Sequence, residues 1–255
     1  MNNYKFLRAK ATSYYSQHGE DGVLEYLLTK IPTNMWAVEF GAWDAKYLSN
    51  TFYFIEKLNY KAVLIEGDDT RIEEAKKNTA QFDGRVISIC AFVEPEGTNT
   101  LDNLLKPTPL PYDFDILSID IDGKDYHIWD SFKNYKPKIV IIEMNAKQKP
   151  ETDKIHRKDD DDVTSWVAGS SIKSLTELAH QKGYSLVSNI GCNAIFVDTQ
   201  YLNLFFDTEP TPTQVFNYQL FDLSQLTLTE AKRKSSKDFI NKLVRYPYHL
   251  IKYGK

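Results

Sequence analysis

The chain has 255 residues, 26% of them charged and 42% hydrophobic, enough for one large α/β domain or two small ones. Two cysteines, Cys90 and Cys192, exclude a disulfide framework and a zinc pattern, and are expected as small buried hydrophobes of a reducing compartment. The net charge of −4 is uneven: residues 231–255 hold eight Lys or Arg against Asp238, about +7, leaving about −11 on the body, a balance that argues against general nucleic-acid binding.

In chain order, Ser16-Gln17-His18-Gly19-Glu20-Asp21 places acids at a helix start, where the helix dipole favours them. Val23, Leu24, Leu27 and Leu28 then give that helix an apolar face. A strand over 35–40 and a turn over 41–44 follow. Leu48, Phe52, Ile55 and Leu58 repeat at helical spacing, which predicts a helix over 46–59. Strands over 61–66 and 85–90 flank a helix over 70–79. A short helix over 101–106 runs into Pro107, Pro109 and Pro111. The fourth strand, 113–120, and the fifth, 138–145, flank a helix over 126–134.

Residues 146–165 are too polar for core, with Asp159 to Asp162 in a row, and are expected as a loop or lid. An amphipathic helix over 171–182 stops at Gly183. Strands over 184–188 and 194–197 flank Asn189-Ile-Gly-Cys-Asn193, a hairpin signal. Strand alternating with helix is the pattern of a doubly wound, mostly parallel α/β sheet. The pattern weakens after Pro210, so the expected organisation is one domain over 1–210 and a basic helical extension over 211–255. No window approaches the roughly 18 apolar residues of a membrane span, and the first residues lack a signal core. A cytoplasmic protein is expected.

Polar and acidic residues recur where strands should end: Glu39 with Asp44, Glu66, Asp120 with Asp122, and Glu143 with Asn145. A carboxylate at the end of a buried strand is costly unless it binds something, and in open α/β sheets ligands sit at that edge. Gly41 lets a ligand approach the backbone. Glu66 stands where a carboxylate accepts both hydroxyls of a ribose. The turn lacks G-x-G-x-x-G, so it offers no cradle of free N–H groups for a pyrophosphate, and its acids repel phosphate. A cofactor with a ribose, positive groups and no phosphate fits, and S-adenosylmethionine, with an ammonium and a sulfonium, is such a molecule.

Five segments carry a resemblance: Ser16-Gln17-x-Gly19-Glu20-Asp21, Val38-Glu-Phe-Gly-Ala-Trp-Asp44, Leu64-Ile-Glu-Gly-Asp68, Ser118-Ile-Asp-Ile-Asp-Gly123 and Val140-Ile-Ile-Glu143. In this order and spacing, over about residues 13–198, the chain resembles the FkbM-like family of S-adenosylmethionine-dependent O-methyltransferases. The resemblance implies a Rossmann-like class I methyltransferase sheet of seven strands with the last one antiparallel. It also implies methylation of a hydroxyl on a sugar of a glycan or natural product. Glu39, Gly41 and Asp44 would surround the methionine end of the cofactor. Glu66 with Gly67 would hold the ribose, and Asp68 and Ala91 would line the adenine. Gln17 and Asn50 are further contact candidates. Asp120 falls where related enzymes place an acid that binds a metal or orients the substrate, and Glu143 where they place a second acidic ligand.

Two routes would remove the acceptor proton. A Mg²⁺ or Mn²⁺ ion on Asp120, Asp122, Glu143 and Asn145 would lower the hydroxyl's pKa. Alternatively a side chain takes the proton as general base; His127 is the best-placed histidine, with Asp122 and Lys124 nearby. Two other classes stay open from the residues alone: a metal-dependent phosphate-ester hydrolase, and a non-catalytic cofactor-binding partner subunit. The basic tail has three readings: a solvated helix over about 228–245 packed by Phe239, Ile240, Leu243 and Val244, attraction to an anionic membrane face, or attraction to an acidic glycan. If the membrane reading holds, the protein sediments with anionic vesicles at low salt and is released as salt rises; no sedimentation at low salt removes it.

Overall fold

Near-continuous apolar runs such as Val63-Leu-Ile65 and Ile139-Val-Ile-Ile142 are what strands buried on both faces require. In the computed structural model, which describes residues 3–82, 84–121, 123–159 and 168–218, they form β1 (Trp36–Phe40), β2 (Lys61–Glu66), β3 (Val86–Cys90), β4 (Ile116–Ile119), β5 (Ile139–Glu143), β6 (Tyr184–Ile190) and β7 (Asn193–Asp198). All seven join in one sheet in the order β3-β2-β1-β4-β5-β7-β6. The pairs among β1 to β5 are parallel, and β7 runs antiparallel to both β5 and β6. This is the doubly wound, Rossmann-like sheet of the class I methyltransferase fold. Its strand order reverses direction beside β1, so a crevice belongs at the C-terminal ends of β1 and β4.

Helices α1 (Glu20–Leu28), α2 (Phe52–Lys57) and α3 (Asp69–Thr79) bury Val23, Leu24, Leu27, Phe54, Ile55 and Ile72 on one face of the sheet. On the other face α4 (Leu101–Leu105), α5 (Asp125–Ser131) and α6 (Ile172–Gln181) bury Leu105, Ile128, Trp129, Leu175 and Leu178. The short α7 (Pro212–Val215) adds Val215 to that second core. Strand side chains alternate between these faces. Thus Val38 and Phe40 enter one core while Ala37 enters the other, with Glu39 on Ala37's side.

The structure changes four expectations. The helix over 46–59 shrinks to α2, because residues 43–51 form an irregular loop in which Trp43, Ala45 and Leu48 have φ of 49°, 70° and 57°. Cys90 is exposed, because it ends an edge strand that pairs on one side only, and its thiol donates to Asp69 Oδ1 at 3.0 Å. Cys192 is half-buried, in the hairpin turn. The polar loop after β5 is not wholly solvated: His156 is buried, and its N–H donates to Ser170 Oγ at 3.0 Å. Asp122, the run from Asp160 to Asp162 and the tail helix over 228–245 lie outside the described residues. Among the described residues no helix is long and apolar enough to cross a membrane.

The N-terminal edge of the sheet is tied by one buried ion pair. Asp115 Oδ1 accepts from Lys138 Nζ at 2.8 Å, and its carboxylate also takes the N–H groups of Asn34 and Met35 at 3.0 and 2.7 Å. Asp115→Ala would leave the buried Lys138 ammonium with only the exposed Asp113 carboxylate, at 4.0 Å. Urea unfolding is expected to show a loss of about 3–5 kcal/mol, and a loss under about 1 kcal/mol would contradict this role.

Candidate active site

The centre of the C-terminal edge is built on Glu39. The pairing of β1 with β4 sets Glu39 beside Ser118. Its carboxylate accepts from Ser49 Oγ and Thr51 Oγ1 at 2.6 Å each, from the Asn50 N–H at 2.9 Å and from Ser118 Oγ at 3.4 Å. Asn50 is buried as well, and its amide donates to Ser118 Oγ at 3.1 Å. Burial pushes the Glu39 carboxyl up, and the hydroxyl and N–H donors of Ser49, Thr51, Asn50 and Ser118 pull it back. Glu39 and Asn50 therefore position the 43–51 loop rather than stand open to a ligand. The loop's three left-handed residues cost about 1–3 kcal/mol each, which this knot of hydrogen bonds offsets. A parallel bridge between Ser16 and Leu48 joins the loop to the segment before α1.

Gly41 lies exposed at the end of β1 with φ of 74°. The space a side chain would take there is filled by the Asp120 carbonyl. The backbones of β1 and β4 thus meet at the point where the strand order reverses, while the free side of Gly41 faces outward. Asp120 is exposed just past β4. The turn after it is held by Asp125, which no motif singled out. Its buried carboxylate accepts the N–H groups of Ile121 and Gly123 at 2.9 and 2.8 Å. An acid at a helix start was the available signal, and it fits several roles equally well.

Glu66 ends β2 half-buried. One oxygen accepts from the Trp43 N–H at 2.8 Å and the other from the Asp68 N–H at 3.0 Å. A carboxylate has about four lone-pair sites, so this one keeps capacity for a diol. Asp68 caps α3, with one oxygen taking the N–H groups of Thr70 and Arg71 at 2.8 and 3.0 Å. One oxygen of Asp44 likewise takes those of Lys46 and Tyr47, at 2.9 and 2.7 Å. The ring of Phe92 lies over Gly67, in the space a side chain there would take. Phe92, next to Ala91, is 69% exposed and sets an aromatic face beside Glu66. Sequence reasoning passed over it because an aromatic after a strand more often belongs to the core.

At the β5 and hairpin side, Asp21 gathers the N–H groups of Tyr14, Tyr15 and Ser16 and the Ser16 hydroxyl. Glu20 accepts from the His18 N–H and from the Asn193 amide at 2.7 and 2.9 Å. Gln17 meets the hairpin through the Cys192 thiol, 3.9 Å from its amide oxygen. Burial, then the charges of Glu143, Asp120 and Glu20, hold the Cys192 thiol well above its ordinary range. Glu143 lies opposite Asn193 in the β5–β7 register and Glu20 accepts from the Asn193 amide, so these two acids meet at the hairpin.

Asn145, one of the expected metal ligands, is not open to an ion. The amide oxygen of Asn145 accepts the Lys147 N–H at 3.0 Å, its amide nitrogen donates to the Ala168 carbonyl at 2.6 Å, and the side chain is buried. The Lys147 ammonium, lowered by burial, feels the Glu143 charge. Among the described residues no three His, Cys, Asp or Glu side chains form a metal-holding group. His127 is also committed. Its Nε2 lies 2.7 Å from the His156 carbonyl, which only accepts, so that nitrogen carries the hydrogen and anchors the loop after β5. Lys124 reaches across to Glu94 Oε2 at 3.4 Å.

No family model matches the chain, and no curated protein matches it in sequence. Solved structures of similar shape include a putative caffeoyl-CoA O-methyltransferase from Staphylococcus aureus, at 18% identity over 70% of this chain and 82% of that one, with a TM-score of 0.46. TrmK of M. capricolum, in complex with S-adenosylhomocysteine, is 15% identical over 89% of this chain and 96% of that one, at 0.43. The cyclase SpnF is 10% identical over 72% and 69%, at 0.46. Superpositions this loose say nothing of chemistry, and the strand order itself defines the fold.

Because the folded-state pKa of Glu39 is raised, the folded protein keeps this proton at pH values where the unfolded chain has lost it. Stability from this group is therefore full below the unfolded pKa and falls as pH rises to the folded one. Urea unfolding from about pH 4 to about pH 8 should show the wild type losing stability relative to Glu39→Gln as pH rises; the opposite slope would contradict the assignment.

Proposed function

We propose that the chain is an S-adenosylmethionine-dependent O-methyltransferase that methylates a hydroxyl of a sugar in a glycan or glycoconjugate. The observation that carries the cofactor half is Glu66. It is a carboxylate with free lone pairs at the end of β2, one strand from the reversal point, with the Phe92 face beside it. Glu66 would take the ribose diol and Phe92 the adenine. The exposed backbone of Gly41 and the nearby Asp44 would meet the methionine end, whose positive charges the acidic edge favours. The donor chemistry of these residues fits that cofactor and not a phosphate-bearing one. The sugar half rests on the family resemblance of the motifs and on the acidic, polar edge.

When bound, the cofactor supplies a methyl group activated by a sulfonium. The chain's part is positioning and proton handling. Asp120, exposed beside Gly41, accepts the hydrogen of the acceptor hydroxyl and orients its oxygen toward the methyl. On methyl transfer Asp120 would take the acceptor's proton, keeping it on its carboxylate or passing it to water. His127 Nε2 donates to the His156 carbonyl, so this reading assigns the proton to Asp120 instead.

Calorimetry with S-adenosylmethionine and S-adenosylhomocysteine should give saturable binding. Glu66→Ala should weaken it about 10- to 100-fold, the worth of hydrogen bonds to a charged group at about 1.5–3 kcal/mol. No heat with either compound removes the proposal.

A further inference from the structure

A second recess opens on the same edge. It is a cavity of about 320 Å³ lined by Glu94, Pro95, Glu96, Lys124, Lys158 and Asp159. Its walls come from the segments that leave β3, β4 and β5, three parallel strands whose C-terminal ends define the ligand-facing edge. Its volume is at the lower end for small-ligand sites, about the scale of one or two sugar rings. Of the lining residues only Lys124 and its partner Glu94 appear in the site described above.

The lining is five charged groups and one proline. Lys158 Nζ meets Glu96 Oε2 at 2.7 Å, and Lys124 Nζ meets Glu94 Oε2 at 3.4 Å. Asp159 is held from outside by Arg157, at 2.7 Å. The wall therefore alternates ammonium donors with carboxylate acceptors. An aromatic acceptor seated here would strip water from these charges and return no hydrogen bonds. A sugar ring satisfies both kinds, because each hydroxyl donates and accepts, and its apolar face has Pro95 to rest on. Three carboxylates against two ammoniums leave the lining negative, beside an edge already acidic through Asp120, Glu66 and Asp44. An acidic sugar is repelled, and a neutral or amino-bearing one is not.

The geometry points to this cavity as the acceptor pocket, holding a hydroxyl-rich acceptor without negative charge between the Lys124–Glu94 and Lys158–Glu96 pairs. This rests on the methyltransferase reading. The test uses the full chain loaded with S-adenosylhomocysteine and saturation-transfer NMR with four probes: methyl glucoside, glucosamine, glucuronate and catechol. The first two should take up saturation from the protein and the last two should not. Lys158→Trp and Glu96→Trp, both at the exposed lip where folding tolerates a large side chain, should fill the recess. Each should cut the glucoside and glucosamine signals about tenfold while leaving the S-adenosylhomocysteine affinity unchanged. If S-adenosylhomocysteine does not bind, the methyltransferase reading falls and this inference with it. If it binds, the pocket assignment alone is overturned by any of three results: no signal from either sugar, a stronger signal from catechol or glucuronate, or sugar signals untouched in both filled variants.

Discussion

Glu39 is taken out of water at the end of β1, in the middle of a sheet buried on both faces, where an unpaired carboxylate would cost several kcal/mol. It is tolerated because Ser49, Asn50, Thr51 and Ser118 all donate to it. The same bonds fix everything around it. They draw the 43–51 loop onto the sheet, hold left-handed backbone at Trp43, Ala45 and Leu48, and lock β1 to β4 at the reversal point. Without that carboxylate the loop has no reason to pass over the strand ends, and Glu66 loses the Trp43 N–H that orients it.

The acids of the edge divide by what their oxygens already hold. Asp21, Glu39 and Asp125 are buried and spent on loop N–H and hydroxyl groups. They set geometry and have little capacity left for a ligand. Glu66 and Asp120 sit at the same edge with more exposure. Glu66 shares one bond from each oxygen, a partial commitment that fixes the carboxylate plane while leaving acceptor sites open. Such a group is already oriented before a ligand arrives, which lowers the entropy lost on binding.

Most of the fold was legible in the sequence because each strand is a short apolar run closed by a turn residue, and alternation with helices leaves few topologies. The reversed β7 was legible from the five residues between two strands. The 43–51 loop was not, since Leu48, Phe52, Ile55 and Leu58 keep helical spacing although only the last three lie in or beside a helix. Periodicity reports which side chains face the core, not the backbone that delivers them. The site was legible as positions but not as roles. A row of acids at strand ends marks an edge, yet whether an acid caps a loop, as Glu39 does, or faces out, as Asp120 does, depends on donors far off in sequence such as Thr51. Asn145 shows the same limit: an amide at a strand end looks like a ligand until Lys147 and Ala168 claim both its ends.

The division of labour among the acids also decides what the crevice can hold. In dinucleotide-binding sheets the turn after β1 keeps its N–H groups free, and these cradle a pyrophosphate. Here the corresponding donors are consumed from within. Trp43 gives its N–H to Glu66, Lys46 and Tyr47 give theirs to Asp44, and Asn50 gives its own to Glu39. What remains facing the crevice is mostly carboxylate oxygen. Such a surface accepts hydrogen bonds and attracts positive charge, and it repels phosphate. Under the proposed function, that surface would meet a ribose diol, a cationic methionine-like group and an acceptor hydroxyl. Three carboxylates folded back onto one loop thus take up the N–H donors that, in a dinucleotide-binding sheet, would meet a phosphate bridge.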